Sequence, residues 1–133
     1  MIFADTSWFY ALADRDDINH REAVRLMDQA LTQGETFLTH NYILVETSAL
    51  LHRRLGLPAA KRFLADAEAM TIHWVTKDEH RQAADQFRRR TTGRLSLVDV
   101  VSFLVMRHYG LGIYLGFDED FNQEGFRCYV LPT

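Results

Sequence analysis

Read from its start, the chain alternates short apolar runs with longer stretches in which apolar residues recur every three or four positions. Ile2 to Ala4 form the first run, which stops at Asp5-Thr6-Ser7, and these capping residues lead into Trp8-Phe9-Tyr10-Ala11-Leu12. A strand followed by a helix is predicted. After the polar stretch Asp14 to Asn19, residues Ala23, Leu26, Met27, Ala30 and Leu31 keep helical spacing up to Gly34. Thr36-Phe37-Leu38-Thr39 is too short for a helix and β-branched at its ends, whereas Asn41 to Leu55 is helical in period until Gly56. Pro58 suits the first turn of the next helix, which runs through Phe63, Leu64 and Ala67 before the apolar, β-branched stretch Met70 to Val75. Thr76 to Arg90 reads as a helix, Thr91-Thr92-Gly93 as a loop, and Ser96 to Tyr109 as a strongly apolar helix ended by Gly110. Ile113 to Phe117 predicts a fourth strand, Asp118 to Gln123 a short turn or helix, and Tyr129-Val130-Leu131 a fifth strand before Pro132.

Strands alternating with helices predict an α/β fold, with a parallel central sheet of four to five strands, helices on both faces and right-handed crossovers. No internal repeat, low-complexity tract or linker interrupts the pattern, so one domain over residues 1–133 is expected. Composition agrees: 133 residues with 47% hydrophobic and 25% charged content suit one folded, soluble domain. Cys128 is the sole cysteine, which excludes an intrachain disulfide and a Cys-based metal cluster and fits a reducing cytoplasm. No apolar run approaches the ~20 residues of a membrane span, and no signal-like segment opens the chain. A net charge of −3 argues against a general nucleic-acid coat, so any such contact must be local.

The chemistry lies in the acids. In an open α/β sheet, ligands bind beyond the carboxyl ends of the strands. Asp5 follows the first strand and Asp118 the fourth, so a parallel sheet places both at one edge. Glu46 stands three residues after Ile43 and four before Leu50, on an apolar stripe where an unpaired carboxylate is costly. Asp99 lies in the first turn of its helix and can face the same crevice. Each acid has a structural alternative: Ser96 to Asp99 matches a capping box, Asp5 and Asp118 can cap the helices that follow, and Glu46 can pair with a buried Arg. Together, four carboxylates at one edge would repel unless a cation sat among them. All-oxygen ligation favours Mg²⁺ or Mn²⁺ over zinc and points to phosphodiester hydrolysis by an activated water.

Four segments carry a resemblance: Phe3-Ala4-Asp5-Thr6-Ser7, Thr39 with Val45-Glu46, Leu95 to Ser102, and Phe117-Asp118-Glu119-Asp120-Phe121. They resemble the PIN-domain ribonucleases, and among these the VapC-like toxins of bacterial toxin–antitoxin pairs. The likeness spans nearly the whole chain. It implies a metal-dependent endoribonuclease of PIN fold in which Asp5, Glu46, Asp99 and Asp118 form an acidic quartet supported by Thr6 or Ser7. Ser102 and Asp120 are accessory candidates, although Asp120 stands where similar proteins often carry His. Homodimerisation and inhibition by a small antitoxin protein are also implied.

Basic groups at Arg53-Arg54, Lys61-Arg62, and Arg88, Arg89, Arg90 and Arg94 can track RNA phosphates or merely solvate helix faces; the last group leads straight to Asp99. Trp8 and Tyr10 are expected in the core. None of the six histidines is assigned a catalytic role. Asp14, Asp16, Asp17 and His20 read as a solvated, capping loop. Three rivals remain. Similar domains also serve as RNA-processing nucleases that are not toxins. An α/β phosphatase also uses an Asp after its first strand, but here Ser7 stands where its second Asp is expected. A non-catalytic acidic module could dock a basic peptide.

Overall fold

The computed structural model describes residues 1–130. Its elements run β1 (Ile2–Ala4), α1 (Thr6–Ala13), α2 (His20–Thr32), β2 (Phe37–His40), α3 (Asn41–Leu55), α4 (Leu57–Ala67), β3 (Thr71–His73), α5 (Lys77–Arg88), α6 (Leu97–His108), β4 (Ile113–Leu115), α7 (Asp120–Gln123) and β5 (Arg127–Cys128). Every strand pair is parallel, in the order β3-β2-β1-β4-β5. The chain therefore builds outward from β1 to β3, then crosses back to lay β4 on the other side of β1. That reversal makes the gap beyond β1 and β4 the topological switch point, where such sheets open a crevice.

The pleat divides the core. Phe3 pairs in register with Leu38 and Tyr114, so these side chains share one face. There Phe121 stacks on Tyr114 at 4.7 Å between ring centres and meets Phe103 of α6 edge-on at 5.0 Å. On the opposite face Phe37 packs against Trp8 of α1, and Phe9 meets Phe63 of α4. β1 is buried along its whole length because both faces are covered.

Several boundaries differ from the sequence reading. β4 stops at Leu115 because Gly116 and Phe117 turn toward α1, where the Phe117 amide donates to Ser7 Oγ. α5 ends at Arg88, two residues early, and β3 keeps only the middle of the Met70 to Val75 stretch. β5 is Arg127–Cys128 rather than Tyr129 to Leu131. Gly125, at φ 96°, turns the chain out of α7, and Phe126 inserts among Phe103 and Phe121, so pairing with β4 begins at the next residue. Tyr129 adds one further bond, to the Tyr114 carbonyl, and Val130 is exposed; Leu131 and Pro132 lie outside the described residues.

Candidate active site

Asp5 stands where β1 becomes α1. Its amide donates to the Leu115 carbonyl at 2.9 Å, which ties it to β4, and its own carbonyl accepts from Trp8 and Phe9 in the first turn of α1. Its carboxylate caps that helix: Oδ2 accepts from the Ser7 amide at 3.3 Å and the Ser7 hydroxyl at 2.8 Å. Asp5 therefore caps α1, as its structural alternative predicts. Asp5 is only 5% exposed, and burial pushes its pKa up to about 7; Ser7 pulls against that shift, while the negative charge of Asp99 adds to it.

Asp99 likewise caps its helix. It closes a capping box on α6, with Oδ2 accepting from the Ser96 amide at 2.9 Å and its own amide donating to Ser96 Oγ at 3.2 Å. From there its charge acts on Asp5 and also on Glu46. Glu46 is half-buried on α3, its pKa raised by burial, lowered by the Thr6 hydroxyl, and raised again by Asp99. Thr6 Oγ1 in turn accepts from Thr47 Oγ1 at 3.1 Å, in a pair buried between α1 and α3. Among the described residues Glu46 has no ion-pair partner, so the Arg-paired reading of it is not what the structure shows.

Asp118 completes the edge from the β4 side. Its Oδ1 accepts from the Asp120 amide at 3.0 Å, an Asx turn, and its carbonyl accepts from the Tyr114 hydroxyl at 3.3 Å. Ser7, Phe117, Asp118, Glu119, Asp120 and Arg94 line an open cleft of about 560 Å³. Asp120 is 8% exposed and pairs with Arg94 at 3.6 Å; burial and Asp118 raise its pKa against the pull of Arg94. Ser102 lies elsewhere, fully buried behind Asp99 and hydrogen-bonded to His40 at 2.9 Å.

The arginines divide. Arg88 pairs within its own helix to Asp85, and Arg90 shares Glu124 with Arg107, bracing the loop before α6 against the end of α7. Only Arg94 faces the cleft, and Arg89 has no ion pair among the described residues. Trp8 is in the core, as expected, with Nε1 donating to the Ala23 carbonyl. Asp14 and Asp17 accept from the Asp16 and Asn19 amides and so shape the first loop.

Among the described residues, no three His, Cys, Asp or Glu side chains converge tightly enough to enclose a metal ion. The donors nevertheless suit a hard cation that keeps much of its water and takes few carboxylates directly. The charge of Asp99 raises the pKa of Asp5, and that is the repulsion such an ion would relieve.

A model of the PIN domain matches residues 2–126. The chain belongs to the PIN-domain family. Over 128 residues, 95% of each chain, it is 37% identical to a Mycobacterium tuberculosis protein described as the 23S rRNA-specific endonuclease VapC20, in strains CDC 1551 and H37Rv. The crystal structure of M. tuberculosis VapC20, described as a toxin that cleaves the sarcin–ricin loop, superposes with a TM-score of 0.86 at 35% identity, covering 95% of this chain and 96% of that one.

Two residues of this PIN domain escaped the sequence reading. Gly116 lets β4 approach β1, since a Cβ there would sit 3.1 Å from Ser7 Oγ and 3.2 Å from Asp5 Cβ. A glycine between a strand and the Phe117-Asp118 pair was its signal. His40, 0% exposed, caps α3 with its ring and shows no sequence signature beyond its place before a helix.

Proposed function

We propose that this PIN-domain chain is a metal-dependent endoribonuclease, the toxin of a toxin–antitoxin pair, and that it cuts 23S rRNA at the sarcin–ricin loop. The observation that carries the reading is end-to-end similarity to VapC20, in sequence and in fold. The acid edge supports the chemistry. Asp5, Asp99, Asp118 and Glu46 would hold a Mg²⁺ or Mn²⁺ ion, which would acidify a water and neutralise charge on the scissile phosphodiester. Asp5 is the fixed member, gripped by Ser7, while Ser7 itself is held by the Phe117 amide next to Asp118. Glu46 and Asp99 are half-exposed and would act on the water, with Thr6 beside Glu46. Asp120 holds Arg94 at the cleft mouth, where its guanidinium can meet an RNA phosphate.

A homodimer and a small antitoxin partner belong to the same proposal, in the cytoplasm. Leu55, Leu57 and Leu64 present apolar surface at the α3–α4 corner, which supports association. No helix of the described residues is long and apolar enough to cross a membrane.

The test is to incubate the purified chain with intact ribosomes and Mg²⁺ and map 23S rRNA ends. One cut within the sarcin–ricin loop is expected, lost with EDTA and lost in Asp99→Asn protein whose circular dichroism is unchanged. Intact 23S rRNA after wild-type treatment, or wild-type cleavage by Asp99→Asn, overturns the proposal.

A further inference from the structure

One imidazole joins the two helices that carry Glu46 and Asp99. His40 ends β2 and is the N-cap of α3; its Nδ1 accepts from the Ile43 amide at 3.3 Å. Across 62 positions of sequence, its Nε2 meets Ser102 Oγ on α6 at 2.9 Å. Ser102 Oγ donates to the Val98 carbonyl at 2.9 Å, one residue before Asp99. The protons can be placed. Because the Ile43 amide is a donor, Nδ1 must be the acceptor; because the Ser102 proton is committed to Val98, Nε2 must carry the ring proton. The ring is fully buried between Phe3 and Tyr42, and burial first, then His73, pushes its pKa down to about 3, so it stays neutral. Glu46 stands one turn of α3 beyond Ile43, and Asp99 lies in the first turn of α6.

We infer that His40 is a positioning residue: as the Nε2–H tautomer it acts as a strut between α3 and α6, and through Ser102 and the Val98 carbonyl it sets the separation of Glu46 and Asp99. The inference rests on the proposed function only for its catalytic readout. A neutral ring suits the task because it supplies one acceptor and one donor at a fixed separation, where a charged ring would donate at both ends and break the α3 cap.

Two substitutions separate the two ends of the ring. In His40→Asn the short amide keeps the cap of α3, for which Asn is favoured, but cannot reach Ser102. In His40→Gln the longer amide can donate to Ser102 while the Ile43 amide loses its acceptor. Both variants lose stability, since both leave space in the core. Activity should follow the strut and not stability: His40→Gln keeps kcat within a few-fold, whereas His40→Asn and Ser102→Ala lose roughly 10- to 100-fold in kcat with KM little changed. A readout independent of RNA and metal is the ¹³C carboxyl resonances of Glu46 and Asp99 in metal-free protein, which should move in His40→Asn and Ser102→Ala and stay in place in His40→Gln. Should either His40 variant not fold, Ser102→Ala breaks the same link from the other side. The strut is refuted if kcat merely tracks Tm across the three variants, or if the two carboxyl resonances are unmoved in Ser102→Ala. Lack of cleavage by wild type counts against the proposed function and leaves the carboxyl shifts to decide the strut.

Discussion

Gly116 lies so close to Asp5 that a Cβ built on it would stand 3.2 Å from the Asp5 Cβ, with Ser7 Oγ at 3.1 Å and a Tyr114 ring carbon at 3.3 Å. Two of these neighbours belong to the acid edge. Tyr114 is buried and cannot move aside cheaply, so the strain of Gly116→Ala must fall on Ser7 and Asp5. The variant should lose about 1–3 kcal/mol of stability, the usual cost of overpacking, and a larger share of its cleavage rate than that loss of folded protein explains. Gly112 has open space around it, so Gly112→Ala is the control. Urea melts and single-turnover cleavage of both variants check this, and equal activity in the two would show that the approach of β4 to Asp5 does not matter.

The arginine group before α6 should not act as one basic patch. Arg94 faces the cleft, while Arg88 and Arg90 are taken up by Asp85 and Glu124. Arg94→Ala is therefore expected to raise KM and to lower the slope of log KM against log salt by about one, as for the loss of one phosphate contact. Arg88→Ala should leave both unchanged. Salt titrations of cleavage kinetics read the difference, and an equal effect at the two positions would point to a diffuse field rather than to a contact.

Much of this was readable in the sequence. The alternation of apolar runs and helical periods marked every element but β5 close to its place, and a parallel sheet alone was enough to assign Asp5 and Asp118 to one edge, whereas the pairing of β1 with β4 is seen only in the structure. The capping reading of Asp99 was also right, and it leaves the proposed site open, because from its cap the charge of Asp99 still reaches Asp5 and Glu46. What the pattern could not carry was contact across distant sequence. His40 and Ser102 meet over 62 positions, and each looks ordinary in its own window. β5 was misplaced for a related reason: Phe126 is drawn into a cluster made by α6 and α7, so tertiary packing rather than β-propensity decides where pairing starts.

If the acid edge takes a divalent ion, folding should be linked to it. Mn²⁺ at about 100 times its Kd adds roughly 2.7 kcal/mol by mass action, which in a chain of this size raises Tm by several degrees. Asp5→Asn and Asp99→Asn should lose that rise, and Asp85→Asn, on the exposed side of α5, should keep it. Thermal melts with and without Mn²⁺ supply the measurement. A rise that survives in Asp99→Asn would place the ion elsewhere.

Two buried groups push the pH dependence of folding in opposite directions. Burial raises Asp5 from 3.8 to about 7, so between these values the native state holds a proton that the unfolded chain has released. Its stabilisation is full below about pH 4 and is lost as pH rises through 7. Burial lowers His40 from 6.5 to about 3, so over nearly the same range the unfolded chain binds a proton that the native state refuses, and stability falls as pH falls from 6.5. Each effect amounts to roughly 4 kcal/mol over its range, at about 1.4 kcal/mol per pH unit, and between about pH 4 and 6.5 the two nearly cancel. Each substitution should therefore unmask the other group. In metal-free buffer, Asp5→Asn should lose stability on acidification more steeply than wild type by about one proton's slope, and His40→Gln should gain stability over the same interval. Asp5→Asn should also be the more stable protein at pH 8, and under the proposed function the less active one. Urea unfolding at half-unit pH steps measures all three curves. Parallel profiles for wild type and both variants would mean that neither side chain carries the shift that its burial demands.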